Sequence, residues 1–178
     1  MTLPGDLTPA QKIERMIRVN HAGEYGAQRI YAGQLAVLGK SESAPTLRHM
    51  AEQEQEHLDI FSRMMTQRRV RPTVLSPLWH VGGFAMGAAT ALMGEKAAMA
   101  CTVAVESVID EHYAEQEKAL ADDDEHELKA AITKFRADEK EHHDTALNLG
   151  AEAAPLYSVL RAVIKCQTKI AIWLSTRI

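Results

Sequence analysis

The chain of 178 residues has few of the residues that mark several common classes of protein. Its only two cysteines, Cys101 and Cys166, match neither a CxxC motif nor a zinc-binding spacing, which argues against a zinc site. We therefore expect both to be buried free thiols in a reducing compartment. The formal net charge of −4 gives no electrostatic basis for binding nucleic acid.

Signals for a nucleotide-binding domain and for targeting are also missing. No Gly-x-Gly-x-x-Gly motif follows a strand-like run, so we expect no flavin or nicotinamide domain, and electrons must come from an external donor. The first eleven residues have no basic region and no apolar run, which argues against a secretory signal or transit peptide. No segment has strand-like alternation, and 46% of residues are hydrophobic, which predicts one all-α domain over residues 1–178.

Four segments have apolar residues at spacings of three and four, which predicts four amphipathic helices. They form two helix pairs, at residues 9–70 and 95–149. Thr8 and Pro9 are typical of a helix N-cap and a first helical residue. The acidic turn at residues 121–125 offers an N-cap for the last of the four helices.

An apolar segment without charged residues lies between the two helix pairs, at residues 73–92. It is short for a membrane span and is interrupted at residues 82–83 by two glycines, so a helix on or partly inserted in the membrane surface suits it better. Gly83-x-x-x-Gly87 resembles a small-residue packing motif, although such spacing arises easily by chance. An amphipathic C-terminal helix at residues 155–176 offers a second membrane contact. The alternative is that both segments are ordinary core or oligomer-interface helices.

A glutamate interrupts each of the four apolar stripes at the same depth, and in two stripes a histidine follows one turn later. Both halves have the order Glu, then Glu-x-x-His, which indicates an internally duplicated helix pair. Ionised carboxylates are rarely buried without partners, whereas two divalent cations would neutralise four of them. This ligand set, with neutral imidazoles, is that of ferritin-like di-iron proteins. The predicted ligands are Glu24, Glu54, His57, Glu106, Glu139 and His142.

Side chains near these ligands have two interpretations each. Tyr113 and His112 are candidate catalytic groups, and Tyr113 is either a redox or hydrogen-bonding group or an ordinary amphipathic core residue. Asp110, one turn after a ligand glutamate, either orients a ligand histidine or is a solvated acid. A single Glu-x-x-His is weak evidence, but two copies in phase with apolar stripes favour the metal site.

Longer strings resemble the demethoxyubiquinone hydroxylase family of ubiquinone biosynthesis. The most specific are NHAGE, RPT-x-L-x-P-L-W and EHHD, and the resemblance covers about residues 11–178. It implies an all-α fold, a ferritin-like four-helix bundle with additional apolar and amphipathic membrane-associating helices, and the six ligands named above. One departure is Ser107, where the family has a second glutamate after the ligand Glu106.

The resemblance also implies a reaction and its partners. The expected cofactors are two iron ions, and the expected activity is a monooxygenase that hydroxylates the ring of polyprenylated demethoxyubiquinol with O2. We expect a peripheral protein on the cytoplasmic face of a bacterial inner membrane, with a homo-oligomer or an accessory protein of ubiquinone biosynthesis left open. A ferroxidase or iron-handling protein would explain the ligands but not the apolar segment, and the complete ligand set argues against a membrane scaffold with vestigial ligands.

Overall fold

The computed structural model describes residues 6–178. The predictions about the first eleven residues and about one domain over residues 1–178 therefore lie partly outside the described residues. Within residues 6–178 there are helices and no strands, which confirms the all-α prediction. The elements are α1 (Pro9–Leu38), α2 (Ala44–Arg68), α3 (Ser76–Leu92), α4 (Glu95–Ala119), α5 (His126–Asn148), a 3-10 turn (Ala151–Ala153) and α6 (Tyr157–Ser175).

The four predicted amphipathic helices, α1, α2, α4 and α5, form a bundle. Helix α1 packs along α2 and α4 packs along α5, while α2 meets α5 and α1 meets α4. Two apolar clusters fill the interior, one around Ile17, Phe61 and Phe135 and the other around Tyr31 and Met50. Along each helix the predicted glutamate lies between these clusters, so a layer of polar side chains separates them.

Local capping explains where several helices begin and end. The Thr8 hydroxyl accepts a hydrogen bond from the Gln11 backbone (3.3 Å), and the Gln11 side chain accepts one from Thr8 N (2.9 Å), which confirms the predicted N-cap. Helix α2 stops at Arg68 rather than near residue 70, because Arg69 adopts a left-handed conformation (φ 55°). The N-cap of α5 lies in the predicted acidic turn, at Glu125, but this side chain forms no capping bond and instead pairs with Arg68 at 2.7 Å.

Helix α3 runs without a break through its two adjacent glycines, so the predicted interruption at residues 82–83 is wrong. Gly83 and Gly87 allow close packing against α1, whereas an added Cβ atom at Gly82 would meet no atom within 4 Å. A Cβ atom added to Gly83 would lie 2.9 Å from Gly26 O, and one added to Gly87 would overlap the Ile30 backbone. The predicted small-residue motif is therefore confirmed, and its partner is α1.

Helix α6 lies against α4 and also touches α1. It buries only a narrow stripe, which includes Ile164. Both cysteines are free thiols as predicted, but only Cys101 is buried. The expectation of a buried Cys166 is wrong because this residue lies on the exposed side of α6. Among the described residues, no helix combines the length and the apolar character that crossing a bilayer requires.

Candidate metal centre

The six predicted ligands converge in the polar layer of the bundle. Each side chain belongs to a residue that is at most 3% exposed. Two groups form, and in each group one potential ligand atom per residue lies within 4.8 Å of the others. Both groups contain Glu54 and Glu139. The first group is completed by Glu24 and His57, and the second by Glu106 and His142. The two groups could therefore each hold a cation, and they have two carboxylates in common.

Both histidines present Nδ1 to the centre of the cluster. His57 Nδ1 lies 3.4 Å from Glu139 and 3.6 Å from Glu24, and His142 Nδ1 lies 3.2 Å from both Glu54 and Glu139. These contacts lack hydrogen-bond geometry. Both Nδ1 atoms, both carboxylate oxygens of Glu54 and one oxygen of Glu139 have no hydrogen-bond partner. Buried polar atoms without partners are costly, so the cluster fits a ligand that accepts several lone pairs at once.

Burial and neighbouring charges shift the pKa values of the residues in the cluster. Burial raises the pKa of Glu54 and of Glu106, and neighbouring carboxylates, above all Glu139, raise both further. Burial also lowers the pKa of His57, but contacts with Glu139 and Glu24 outweigh it and raise that pKa to about 10. Burial and mutual repulsion therefore favour the protonated forms of Glu54 and Glu106 when no cation is bound. Divalent cations would replace the protons and leave the carboxylates ionised.

Four of the six potential ligand side chains have hydrogen-bond partners outside the cluster. His57 Nε2 lies 3.0 Å from Asp138 Oδ2, and His142 Nε2 lies 3.0 Å from Gln53 Oε1. The Tyr113 hydroxyl donates to Glu24, and the Tyr31 hydroxyl donates to Glu106 (3.2 Å). Burial raises the pKa of both tyrosines, so both are neutral donors. These contacts fix the rotamers of four potential ligands.

Sequence reasoning assigned these outer contacts only in part. Tyr113 does lie at the cluster as predicted, whereas no prediction included Gln53 or Asp138. The available signal was position, because each of these two residues directly precedes the glutamate of a Glu-x-x-His motif. Asp110 does not orient a histidine, since it pairs with Arg136 at 2.7 Å.

His112 lies beside the cluster rather than in it. Its Nε2 is 3.2 Å from Asn20 Oδ1 and 2.7 Å from Gln116 Nε2, in a buried polar network one turn from Tyr113. Asn20 and Gln116 exchange two further hydrogen bonds of 2.8 Å. Burial lowers the pKa of His112 to about 4, so the imidazole is neutral at pH 7.

A small cavity of about 20 Å³ opens beside the four glutamates. Its wall includes His112, Tyr113 and several apolar side chains. A much larger groove of about 720 Å³ lies between α1, α3 and α6, and it is lined mainly by apolar side chains such as Trp79, Met86 and Leu160. The two spaces share a wall formed by Val19, Gly23, Ala27, Val105, Ile109 and Ile172. The groove therefore leads from the outer helices toward the carboxylates.

The fold and the site together define a helical bundle protein with a buried site suited to two metal ions. A family model described as "Ubiquinone biosynthesis protein COQ7" matches residues 11–175. The chain belongs to this family. The resemblance noted in the sequence is thus confirmed over nearly the whole chain.

Several relatives carry names that describe a hydroxylase. The chain is 55% identical to "3-demethoxyubiquinol 3-hydroxylase" of Rhodospirillum rubrum, over 99% of this chain and 83% of the relative. It is 53% identical to the human "NADPH-dependent 3-demethoxyubiquinone 3-hydroxylase, mitochondrial", over 93% and 78%. It is 43% identical to "5-demethoxyubiquinone hydroxylase, mitochondrial" of Saccharomyces cerevisiae, over 93% and 78%.

Proposed function

We propose that the protein is a di-iron monooxygenase that uses O2 to add one hydroxyl group to the ring of demethoxyubiquinol. The observation that carries this proposal is the buried set of four glutamates and two histidines with unpartnered inward-facing atoms. Such a set is unfavourable unless cations compensate it. Membership of the family and the names of the relatives support the same reaction.

Six residues would hold the two iron ions. Carboxylate and imidazole ligands without thiolates suit iron, although the ligand types alone do not exclude manganese. When bound, the two iron ions would supply electrons and open coordination positions for the activation of O2. The residues assigned to one ion are Glu24 and His57, those assigned to the other are Glu106 and His142, and Glu54 and Glu139 are assigned to both. This arrangement belongs to a ferritin-like di-iron bundle.

Hydroxylation with O2 consumes two electrons more than the oxidised ring carbon provides. One oxygen atom of O2 enters the ring and the other leaves as water, which requires two electrons and two protons besides the substrate. An external donor must provide them. The human relative is named NADPH-dependent, so a reduced nicotinamide is the first donor to test.

The residues of this chain position the reactants. Tyr113 and Tyr31 hold the two unshared glutamates by neutral hydrogen bonds. His112 lines the small cavity as a neutral imidazole, where it can accept a hydrogen bond from a quinol hydroxyl. We place the substrate ring in this cavity. Side chains must move to admit it, because the present volume of the cavity is about that of one water molecule.

The apolar groove suits the polyprenyl tail of the substrate. Its volume of about 720 Å³ lies within the usual range for pockets that bind organic molecules. Each methylene group moved from water into such a groove contributes about 0.8 kcal/mol. Substrates with longer tails should therefore bind more tightly until the groove is filled.

The mouth of the groove also supports a peripheral position on a membrane. Helices α3 and α6 expose large apolar side chains that line the groove, including Leu78 (55% exposed), Val163 (50%) and Ile170 (52%). A tail drawn from a bilayer would reach the groove without crossing water. We place this surface on the cytoplasmic face of a bacterial inner membrane. A second copy of the chain or an accessory protein of ubiquinone biosynthesis are the other occupants to test.

The decisive experiment compares quinol hydroxylation with iron oxidation. Iron-loaded, reduced protein is incubated with O2, reductant and demethoxyquinols of increasing tail length, and the products are weighed by mass spectrometry. We expect a product heavier by one oxygen atom, formed faster when a prenyl tail is present. Rapid iron oxidation without an oxygenated quinol would favour the ferroxidase alternative, which leaves the apolar groove without a use.

A further inference from the structure

The two potential metal positions have matching inner ligands but different outer ones. Each position has one histidine, one unshared glutamate with a tyrosine donor, and the two shared glutamates. The difference lies behind the histidines. His57 Nε2 faces the carboxylate of Asp138, whereas His142 Nε2 faces the amide oxygen of Gln53, both at 3.0 Å.

The direction of these two hydrogen bonds follows from the inward atoms. In both histidines Nδ1 faces the shared glutamates and has no hydrogen-bond partner. A neutral imidazole that offers Nδ1 to a metal ion carries its proton on Nε2, so Nε2–H donates outward. The acceptor is therefore an anionic carboxylate at His57 and a neutral amide at His142.

A carboxylate acceptor strengthens the histidine as a ligand more than an amide does. Hydrogen bonds to an ionised partner are about twice as strong as neutral ones, and they raise the basicity of the imidazole that donates them. Lys134 Nζ lies 3.9 Å from Asp138 and forms an ion pair with the same carboxylate, but the lysine side chain is 56% exposed. Solvent weakens that ion pair, so it reduces the effect of Asp138 without cancelling it.

The sequence places this difference at equivalent positions of the two halves. Gln53 directly precedes Glu54 in α2, and Asp138 directly precedes Glu139 in α5. Each residue reaches across to the histidine of the opposite helix. One pair of unlike residues therefore breaks the symmetry of an otherwise repeated ligand pattern.

We propose that the two metal positions are inequivalent, with the ion at His57 held more tightly than the ion at His142 because Asp138 is a positioning residue for His57. The proposal rests on the two-ion assignment made under the proposed function. Outer hydrogen-bond partners of metal ligands typically change metal affinity by about 10- to 100-fold. The protein takes up its ions in two steps, and it loses the ion at His142 first.

The test is a metal titration that does not depend on turnover. Metal-free protein is titrated with Fe²⁺ without O2, and separately with Co²⁺, whose absorption reports each site. We expect two steps whose affinities differ by about 10-fold or more. In Asp138→Asn the tighter step weakens until the two steps merge. Glu141→Gln removes the same charge from an exposed position of α5 and keeps two separate steps.

The variant Gln53→Glu tests the same difference in affinity at the weaker position. This variant gives His142 a carboxylate acceptor, so the weaker step strengthens toward the tighter one. With ⁵⁷Fe, the wild type shows two distinct Mössbauer doublets, which converge in either variant. Circular dichroism confirms that each variant is folded, and Gln53→Glu decides the matter if Asp138→Asn does not fold.

The outcomes separate this inference from the proposed function. Two ions bound in the wild type with one affinity overturn the inequivalence but leave the two-ion site intact. Separate steps that persist unchanged in both variants overturn the assignment to Asp138 and Gln53. Failure of the wild type to bind two ions overturns the two-ion assignment itself, and the inference with it.

Discussion

The interior of the four-helix bundle and the outer surface of α3 and α6 depart from the usual distribution of side chains in opposite directions. The interior holds four carboxylates and two imidazoles that are at most 3% exposed. The outer surface exposes Leu78, Val81 and Trp173 by more than half. Soluble domains usually bury large apolar side chains and expose carboxylates and imidazoles.

Each departure calls for a partner of a different kind. Unpartnered buried carboxylates and imidazoles are stabilised by cations, whereas a broad exposed apolar surface is stabilised by lipid or another protein. The groove between α1, α3 and α6 connects the two regions, because its inner wall is also the wall of the cavity at the glutamates. This connection fits the proposed hydroxylation, in which the groove would bring an apolar substrate to the metal-binding cluster.

The largest expected effect, on bound iron and turnover, comes from removing a carboxylate from the interior. Glu54→Ala removes a carboxylate shared by both proposed ions, so bound iron should fall below about one ion per chain and turnover by more than about 100-fold, beyond the usual effect of an outer partner. Helical circular dichroism should persist, because the oxygens of Glu54 have no hydrogen-bond partner to lose. Iron analysis and product formation measure this, with exposed Glu56→Ala as the control. Full iron content in Glu54→Ala would refute the ligand assignment.

The next effect comes from breaking the outer surface. Val81→Glu places a charge on the exposed side of α3 at a position that is already 65% exposed, so folding should change little. Binding to liposomes should weaken by about 10-fold or more, since burial of one such side chain contributes about 1.5 kcal/mol or more. Vesicle sedimentation measures the affinity. Gln67→Glu, an exposed residue of α2, adds the same charge away from this surface. Equal weakening in both variants would count against a defined membrane surface.

A smaller effect tests the contact that joins the two regions. A Cβ atom at Gly87 would overlap the backbone of Ile30 in α1, so Gly87→Ala should lower the free energy of unfolding by about 1–3 kcal/mol. Gly82 has no atom within 4 Å of an added Cβ, so Gly82→Ala should instead stabilise α3 by about 0.4–1 kcal/mol. Denaturant unfolding of both variants measures the contrast. Similar stability of the two proteins would mean that α3 does not pack closely on α1.

The smallest effect distinguishes the two regions by thiol chemistry. Cys101 lies in the buried part of α4, and burial raises its pKa to about 12, so it stays an unreactive thiol through pH 9. Cys166 lies on the exposed side of α6. Native protein should therefore react with one equivalent of an alkylating reagent, and denatured protein with two. Mass spectrometry of the intact chain counts the adducts, and two adducts on native protein would show that α4 is accessible.

Local patterns in the sequence account for the helices and for the six residues of the cluster. Glu54 and His57 continue the stripe that includes Met50 and Phe61, and all four are buried together. Helical periodicity does not predict the role of a glycine. Because glycine is permissive in conformation, it is compatible with a helix break and equally with close packing between helices. Residues 82–83 therefore gave the wrong prediction, and the close approach of α1 explains the glycine at residue 83 but not the one at residue 82.

The sequence by itself determined the all-helical architecture and the residue types of the proposed metal site, because helical periodicity and ligand chemistry are both carried by residues close in the chain. Tertiary structure alone decided which outer residues hold the histidines and where the apolar groove lies. Asp138 meets His57 across 81 positions, and Gln53 meets His142 across 89. Such contacts depend on how α2 and α5 pack, and no local spacing encodes that geometry.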